Sequence, residues 1–112
     1  MAPDFSPDLP DDEPFLMLNA LWYKPDGGRE KYGEYLEATK PFTEKYGSKA
    51  MDVCVPEHAL FGEFDADLMF FVWWPSWKVF REFLKDPDYN AVTHLREEAI
   101  TKSLLIRCKP LS

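Results

Sequence analysis

Two short, almost wholly apolar runs set what this chain can become: FLMLNALWY at Phe15–Tyr23 and LMFFVWW at Leu68–Trp74. Each is too short to cross a bilayer, which takes ~20 apolar residues. Neither keeps the apolar–polar alternation of a strand with one wet face. They read as strands buried on both faces, or as strands of a sheet covered by helices on one side and closed by a partner on the other. Turn chemistry brackets them: KPDGG follows the first, Asp65-Ala66-Asp67 precedes the second, and Pro75-Ser76 ends it. On the first strand Asn19 interrupts the apolar run, shares a face with Met17 and Leu21, and needs a hydrogen-bond partner if buried. On the second, Leu68, Phe70, Val72 and Trp74 share one face, and Met69, Phe71 and Trp73 take the other.

Between and after these runs the period changes to that of a helix. From Arg29, after a turn ended by Gly27-Gly28, to about Tyr46, residues Tyr32, Tyr35, Leu36, Thr39, Thr43 and Tyr46 recur at three- and four-residue spacing, with Gly47 placed to end the helix and Pro41 to kink it. SKAMDVCVPEHALFGEF reads as a bent strand or a strand pair broken near Val55-Pro56, at a sheet edge. Ser76 caps a helix with the stripe Trp77, Phe80, Phe83 and Leu84. Asp86-Pro87 caps and restarts a second helical segment with Tyr89, Val92, Arg96 and Ala99 on one side. SLLIRC, within residues 102–109, is a final strand. The order is βαββαβ. The expected fold is α+β, a ferredoxin-like half-barrel with a four-stranded antiparallel sheet and helices on one face.

Composition narrows the function. The chain has 112 residues, which is one domain, and a monomer of this size buries only roughly 60–68% of its unfolded surface. Nine Phe, four Trp and five Tyr are a heavy apolar load for it, so a shared core or a pocket is expected. Of the 20 acids, Asp4, Asp8, Asp11, Asp12 and Glu13 precede the first base, Lys24, in a segment with four prolines. Residues 1–14 are therefore expected to be a flexible acidic arm that stays out of the sheet, and residues 15–112 the single domain. The remaining 15 acids face 13 bases, and no basic stripe suits nucleic acid or an anionic membrane. No basic-then-apolar leader opens the chain, which points to the cytoplasm, and Cys54 and Cys108 read as two buried thiols.

Three stretches carry a family likeness: the tyrosine-bearing helix with Pro41 and Lys45-Tyr46-Gly47, the strand closing on Trp74-Pro75-Ser76, and Pro87-Asp88-Tyr89 followed seven residues later by Arg96. In this order and spacing, over roughly residues 15–108, the chain resembles the DUF1330 family of the dimeric α+β barrel superfamily. It departs from the usual pattern in having Trp74 where a Phe is usual and in its longer acidic arm. The block EHALFGEF after Pro56 only loosely resembles the family's glutamate–glycine turn. The resemblance implies a homodimer in which the open sheet packs on its twofold mate. Superfamily members include cofactor-independent monooxygenases, polyketide cyclases, muconolactone isomerase-like enzymes, haem-binding proteins and members with no known reaction. Fold alone does not choose between them.

The chain has no Gly-rich phosphate loop, HExxH, CxxC or GxSxG, and only two histidines, so no metal site or cofactor is expected. His58, beside the Pro56 break, Tyr35 and Arg96 are the candidate catalytic residues; each also has a structural reading, with His58 in solvent and Arg96 paired to Glu34, Glu37 or Glu98. Asn19, Tyr32, Trp74, Tyr89 and His94 are the candidate ligand-binding residues, though aromatic strands more often simply fill a core. Two functions follow. One is a cofactor-independent enzyme acting on a hydrophobic, oxygenated or aromatic small molecule, with a His or Tyr relaying a proton while Arg96 or Asn19 holds an oxygen. The other is a noncatalytic ligand-binding or structural homodimer. A polar cluster converging on a pocket beside Trp74 favours the first; a filled interior with both histidines in solvent favours the second.

Overall fold

A computed structural model describes residues 3–111; the first two residues of the arm and Ser112 lie outside the described residues. The chain runs β1 (Phe15–Tyr23), α1 (Gly28–Tyr46), β2 (Lys49–Cys54), β3 (Leu68–Trp74), α2 (Trp77–Lys85), α3 (Pro87–Asn90), α4 (Thr93–Ala99) and β4 (Ile100–Cys108). The strands form one antiparallel sheet in the order β2-β3-β1-β4, so the two apolar runs are its central pair. Phe15 opposes Trp74 and Leu21 opposes Leu68 across that pair. The sheet is open, and its helices lie on one face. Among the described residues, no helix is long and apolar enough to cross a membrane.

Strand periodicity divides the side chains of the central pair. Phe15, Met17, Leu21, Phe70 and Trp74 are buried under the helices. On the opposite face, Leu16, Leu18, Met69, Phe71 and Trp73 remain half-exposed, and Ile106 is exposed. The core under the helices is largely aromatic. Phe83 meets Tyr89 at 4.0 Å between ring centroids, and Trp74 lies 5.0 Å from Phe80 and 5.1 Å from Phe83.

Local chemistry fixes the joints. The Ser76 hydroxyl accepts from the Val79 amide at 3.1 Å, capping α2. Asp86 caps α3 by accepting from the Asp88 amide at 2.9 Å, and its other oxygen takes Lys45 Nζ at 2.7 Å and the Tyr46 hydroxyl at 2.6 Å. That carboxylate ties the end of α1 to the α2–α3 joint. Gly28 opens α1 where a Cβ would stand 2.5 Å from the carbonyl oxygen of Ala99, the last residue of α4, so the α1–α4 approach demands a glycine. Gly47, at φ 72°, ends α1 in the left-handed conformation.

Four expectations need correction. α1 is continuous through Pro41; the Thr39 and Thr43 hydroxyls flank it and donate back to the Leu36 and Lys40 carbonyls. The segment after Asp86 is two helices, because the Asn90 side chain donates to the Leu84 and Asp86 carbonyls at 3.2 and 3.0 Å, and Val92 (φ −115°, ψ 0°) breaks the run. Tyr89 and Arg96 therefore do not share one helix. Beyond Cys54, residues 55–67 are irregular: Asp52 has a positive φ of 53°, and the β2–β3 register shifts between Met51 and Cys54. Cys54 is exposed and Cys108 half-exposed, so neither is a buried thiol; both are free.

Residues 3–14 form no strand and lie along the surface. Asp11 pairs with Arg81 at 2.7 Å, and its carbonyl accepts from the Lys78 amide at 3.1 Å.

Candidate functional site

A cavity of about 290 Å³ lies between the sheet and the helices. Its floor is Met17 and Asn19 of β1, Phe70, Val72 and Trp74 of β3, and Leu105 of β4. α1 brings Tyr32, Tyr35, Leu36 and Thr39 from its inward stripe, α3 brings Tyr89 and α4 brings Arg96. Phe42, Phe80, Phe83 and Leu84 complete an apolar wall.

Its polar groups are few. The Tyr35 and Tyr89 hydroxyls are 2.8 Å apart and share one hydrogen bond. Whichever donates, the pair keeps one phenolic proton for a third group. The Tyr32 ring lies 5.5 Å from that of Tyr35. Burial pushes all three phenols above their ordinary range, and the positive charge of Arg96 offsets part of that rise in each. They are neutral donors at any physiological pH, not bases. The Asn19 amide donates to the Met17 carbonyl at 3.1 Å, the partner that a half-buried polar group on this strand needs.

Arg96 stands apart from the other charges. Glu34 and Glu98, two of its expected partners, lie 3.2 and 3.9 Å from Lys31 Nζ, and Glu37 pairs with Lys40 at 2.9 Å. Among the described residues Arg96 makes no ion pair. Among the described residues, no carboxylate or imidazole lines the cavity. The lining thus carries one permanent positive charge among neutral donors and aromatic walls, an arrangement that attracts an anion and offers it hydrogen bonds.

The fold brings Asn19, Tyr32, Tyr35, Trp74, Tyr89 and Arg96 to this one cavity, although α3 and α4 are separate helices. It does not bring His58 or His94. His58 is exposed in the irregular segment after β2, because the bulge at Asp52 and the end of pairing at Cys54 leave that segment outside the sheet. His94 is exposed on the outer side of α4. Sequence reasoning missed Phe42 and Pro3 as lining residues. Phe42, seven residues after Tyr35, falls on the tyrosine stripe, so helical spacing could have found it; nothing in the arm singles out Pro3. A more open cleft of about 420 Å³ at the start of α1 is lined by Lys24, Arg29, Glu30 and Asp67, with both charge signs facing water. It lacks the apolar enclosure that binds a small molecule.

The architecture is a ferredoxin-like α+β sandwich with an aromatic cavity between its two layers. Residues 27–107 match the family described as "Domain of unknown function (DUF1330)", and the chain belongs to that family. It is similar to RPA0582, a protein of unknown function from Rhodopseudomonas palustris, at 31% identity and a TM-score of 0.84, over 92% of this chain and 86% of that one. More distantly, it shares its fold with a putative antibiotic biosynthesis monooxygenase from Bacteroides thetaiotaomicron (13% identity, TM-score 0.66, 89% and 91% of the two chains). It does so too with a dimeric ferredoxin-like protein of unknown function from Bacteroides fragilis (8%, 0.63, 87% and 96%). No curated protein matches the chain.

Proposed function

We propose that the protein is a homodimeric binder of small, planar, hydrophobic anions, an aryl or polyketide-like carboxylate or enolate, held between the sheet and the helices. The observation that carries this reading is Arg96: a guanidinium on an aromatic cavity that, among the described residues, pairs with no carboxylate. Its planar fork suits a carboxylate or enolate oxygen. The free proton of the Tyr35–Tyr89 pair supplies a second donor, and Trp74 with Phe70 supports a flat apolar body. Water exclusion strengthens each of these contacts.

Binding and polarisation are favoured over proton relay. Among the described residues, the cavity has donors and a cation but no imidazole or carboxylate to accept a proton. A reaction here would therefore be one in which the site stabilises an oxyanion while the ligand itself, or solvent, takes the proton. The half-exposed aromatic face of the sheet supports the homodimer, as does the dimeric state given for the Bacteroides fragilis protein of the same fold.

Titration calorimetry with trans-cinnamate and neutral cinnamamide tests the reading. A hydrogen-bonded charge contributes about 1.5–3 kcal/mol, so Arg96→Gln should weaken cinnamate binding by roughly tenfold or more. Cinnamamide affinity should change little. Equal cinnamate affinity in wild type and R96Q would remove Arg96 from ligand recognition.

A further inference from the structure

We propose that residues 3–12 form a strap that closes one end of the cavity, so that ligand exchange requires the strap to lift. Pro3, at the far end of the described arm, lines the cavity together with Trp74 and Phe80. Two residues on, the Phe5 ring sits 5.3 Å from Trp77, which itself stacks on Phe80 at 5.4 Å and an interplanar angle of 17°. The arm thus continues the aromatic wall from outside.

Its attachment is uneven. At residues 10 and 11 it is held by three polar contacts. The Pro10 carbonyl accepts from Arg107 Nη2 at 3.2 Å, the Asp11 carbonyl accepts from the Lys78 amide, and the Asp11 carboxylate takes Arg81 at 2.7 Å. Arg107 is positioned for this by the rings of Phe15 and Trp77, each 4.8 Å from its guanidinium carbon. Among the described residues before Pro10, the arm makes no hydrogen bond or ion pair to the body; Phe5 packs on Trp77 and Pro3 on the cavity. Pro7 and Pro10 keep the intervening chain extended and unable to fold into a helix. A stiff segment fixed at one end and lightly seated at the other lifts as a unit.

Charge adds selectivity to closure. Asp4, next to Pro3, has its carboxyl held below the usual range by the hydroxyl and amide of Ser6, and so stays ionised. An anion passing the closed strap meets this negative charge before it reaches Arg96. Lifting the strap removes the obstacle and the repulsion together.

The gating role rests on the cavity being a ligand site; the closure itself does not. The test uses the full-length chain labelled with 5-fluorotryptophan, whose four tryptophans report by fluorine NMR, and the double variant Phe5→Ala/Asp11→Asn. Both residues lie on the surface, away from the core. Paramagnetic relaxation of Trp74 and Trp77 by a neutral gadolinium chelate should rise about twofold or more in the variant, with Trp22 and Trp73 unchanged. Stopped-flow association and dissociation rates of trans-cinnamate should both rise about threefold, and association should rise more than that of cinnamamide. Unchanged relaxation at Trp74 and Trp77 would overturn the strap whether or not a ligand binds. Unchanged cinnamate rates despite increased relaxation would overturn the gate. Failure of cinnamate to bind the wild type would count against the ligand reading alone, leaving the fluorine data to decide closure.

Discussion

Asp86 does the most for its size in this chain. It is 5% exposed and joins three segments through Lys45, Tyr46 and the Asp88 amide. The Lys45 ammonium first, then the Tyr46 hydroxyl and the Asp88 amide, hold its carboxyl well below the ordinary carboxylate range. The folded state therefore binds fewer protons than the unfolded chain at pH values between the depressed folded value and about 3.9. This stabilisation is complete above the unfolded value and is lost as pH falls through the folded one. Asp86→Asn keeps the shape and part of the cap but removes the charge. Its urea midpoint should lie below that of wild type at about pH 7, and the gap should narrow as pH drops from about 5 to about 2. A gap that is constant over that range would assign the loss to shape rather than ionisation.

Helix α1 carries Tyr32 and Tyr35 into the cavity, yet it contains Pro41 in its second turn from the end. A proline there withholds the amide that would reach the Glu37 carbonyl, and its ring crowds that carbonyl. The helix persists because Tyr32, Tyr35 and Phe42 anchor it in the core. Pro41 itself is exposed. Pro41→Ala restores the donor and should raise stability by about 1–2 kcal/mol in urea unfolding, since the ~3 kcal/mol helix penalty is partly offset by the greater freedom of the unfolded chain. An unchanged or lower midpoint would show that the local backbone is built around the proline. Tertiary packing also explains what could be read in advance. The limits of β1 and β3 and both ends of α1 follow from apolar runs, glycines and caps. The α3–α4 break was hidden because Tyr89, Val92 and Arg96 fit a helical period, while the decisive contacts are those of Asn90 to carbonyls before it. In the site, Tyr32, Tyr35, Asn19 and Trp74 were legible from the face they occupy. The unpaired state of Arg96 was not, since it depends on Lys31 reaching Glu34 and Glu98 first. His58 was misplaced because residues 55–67 carry no periodicity from which a direction could be read.

The molecule exposes 7837 Å² of surface, well above the about 6,400 Å² that the size scaling of compact monomers gives for 13.1 kDa. Part of the excess belongs to the arm and to residues 55–67, where Leu60 and Phe61 are 82% and 96% exposed. The rest includes the uncovered sheet face, whose centre is Phe71 with Leu18 and Met51 opposite it on the two flanking strands. A face of large apolar side chains with no helix over it is what a second copy would bury, at ~25 cal/mol for each Å² of apolar area. Stable dimers remove about 1,200–2,000 Å² in total, an amount this excess can supply from two chains. Phe71→Glu separates interface from fold. In a lone chain the new carboxylate would stand on a half-exposed face and stay hydrated, so the fold should survive. Against a mate it would be an unpaired charge taken out of water, costing several kcal/mol. We expect wild type to sediment at about twice 13.1 kDa at micromolar concentration and F71E at about 13.1 kDa with an unchanged far-ultraviolet spectrum. Wild type sedimenting as a monomer would rule out the dimer. An F71E protein that remains dimeric would move the interface off this face, leaving the open sheet without the cover its composition calls for.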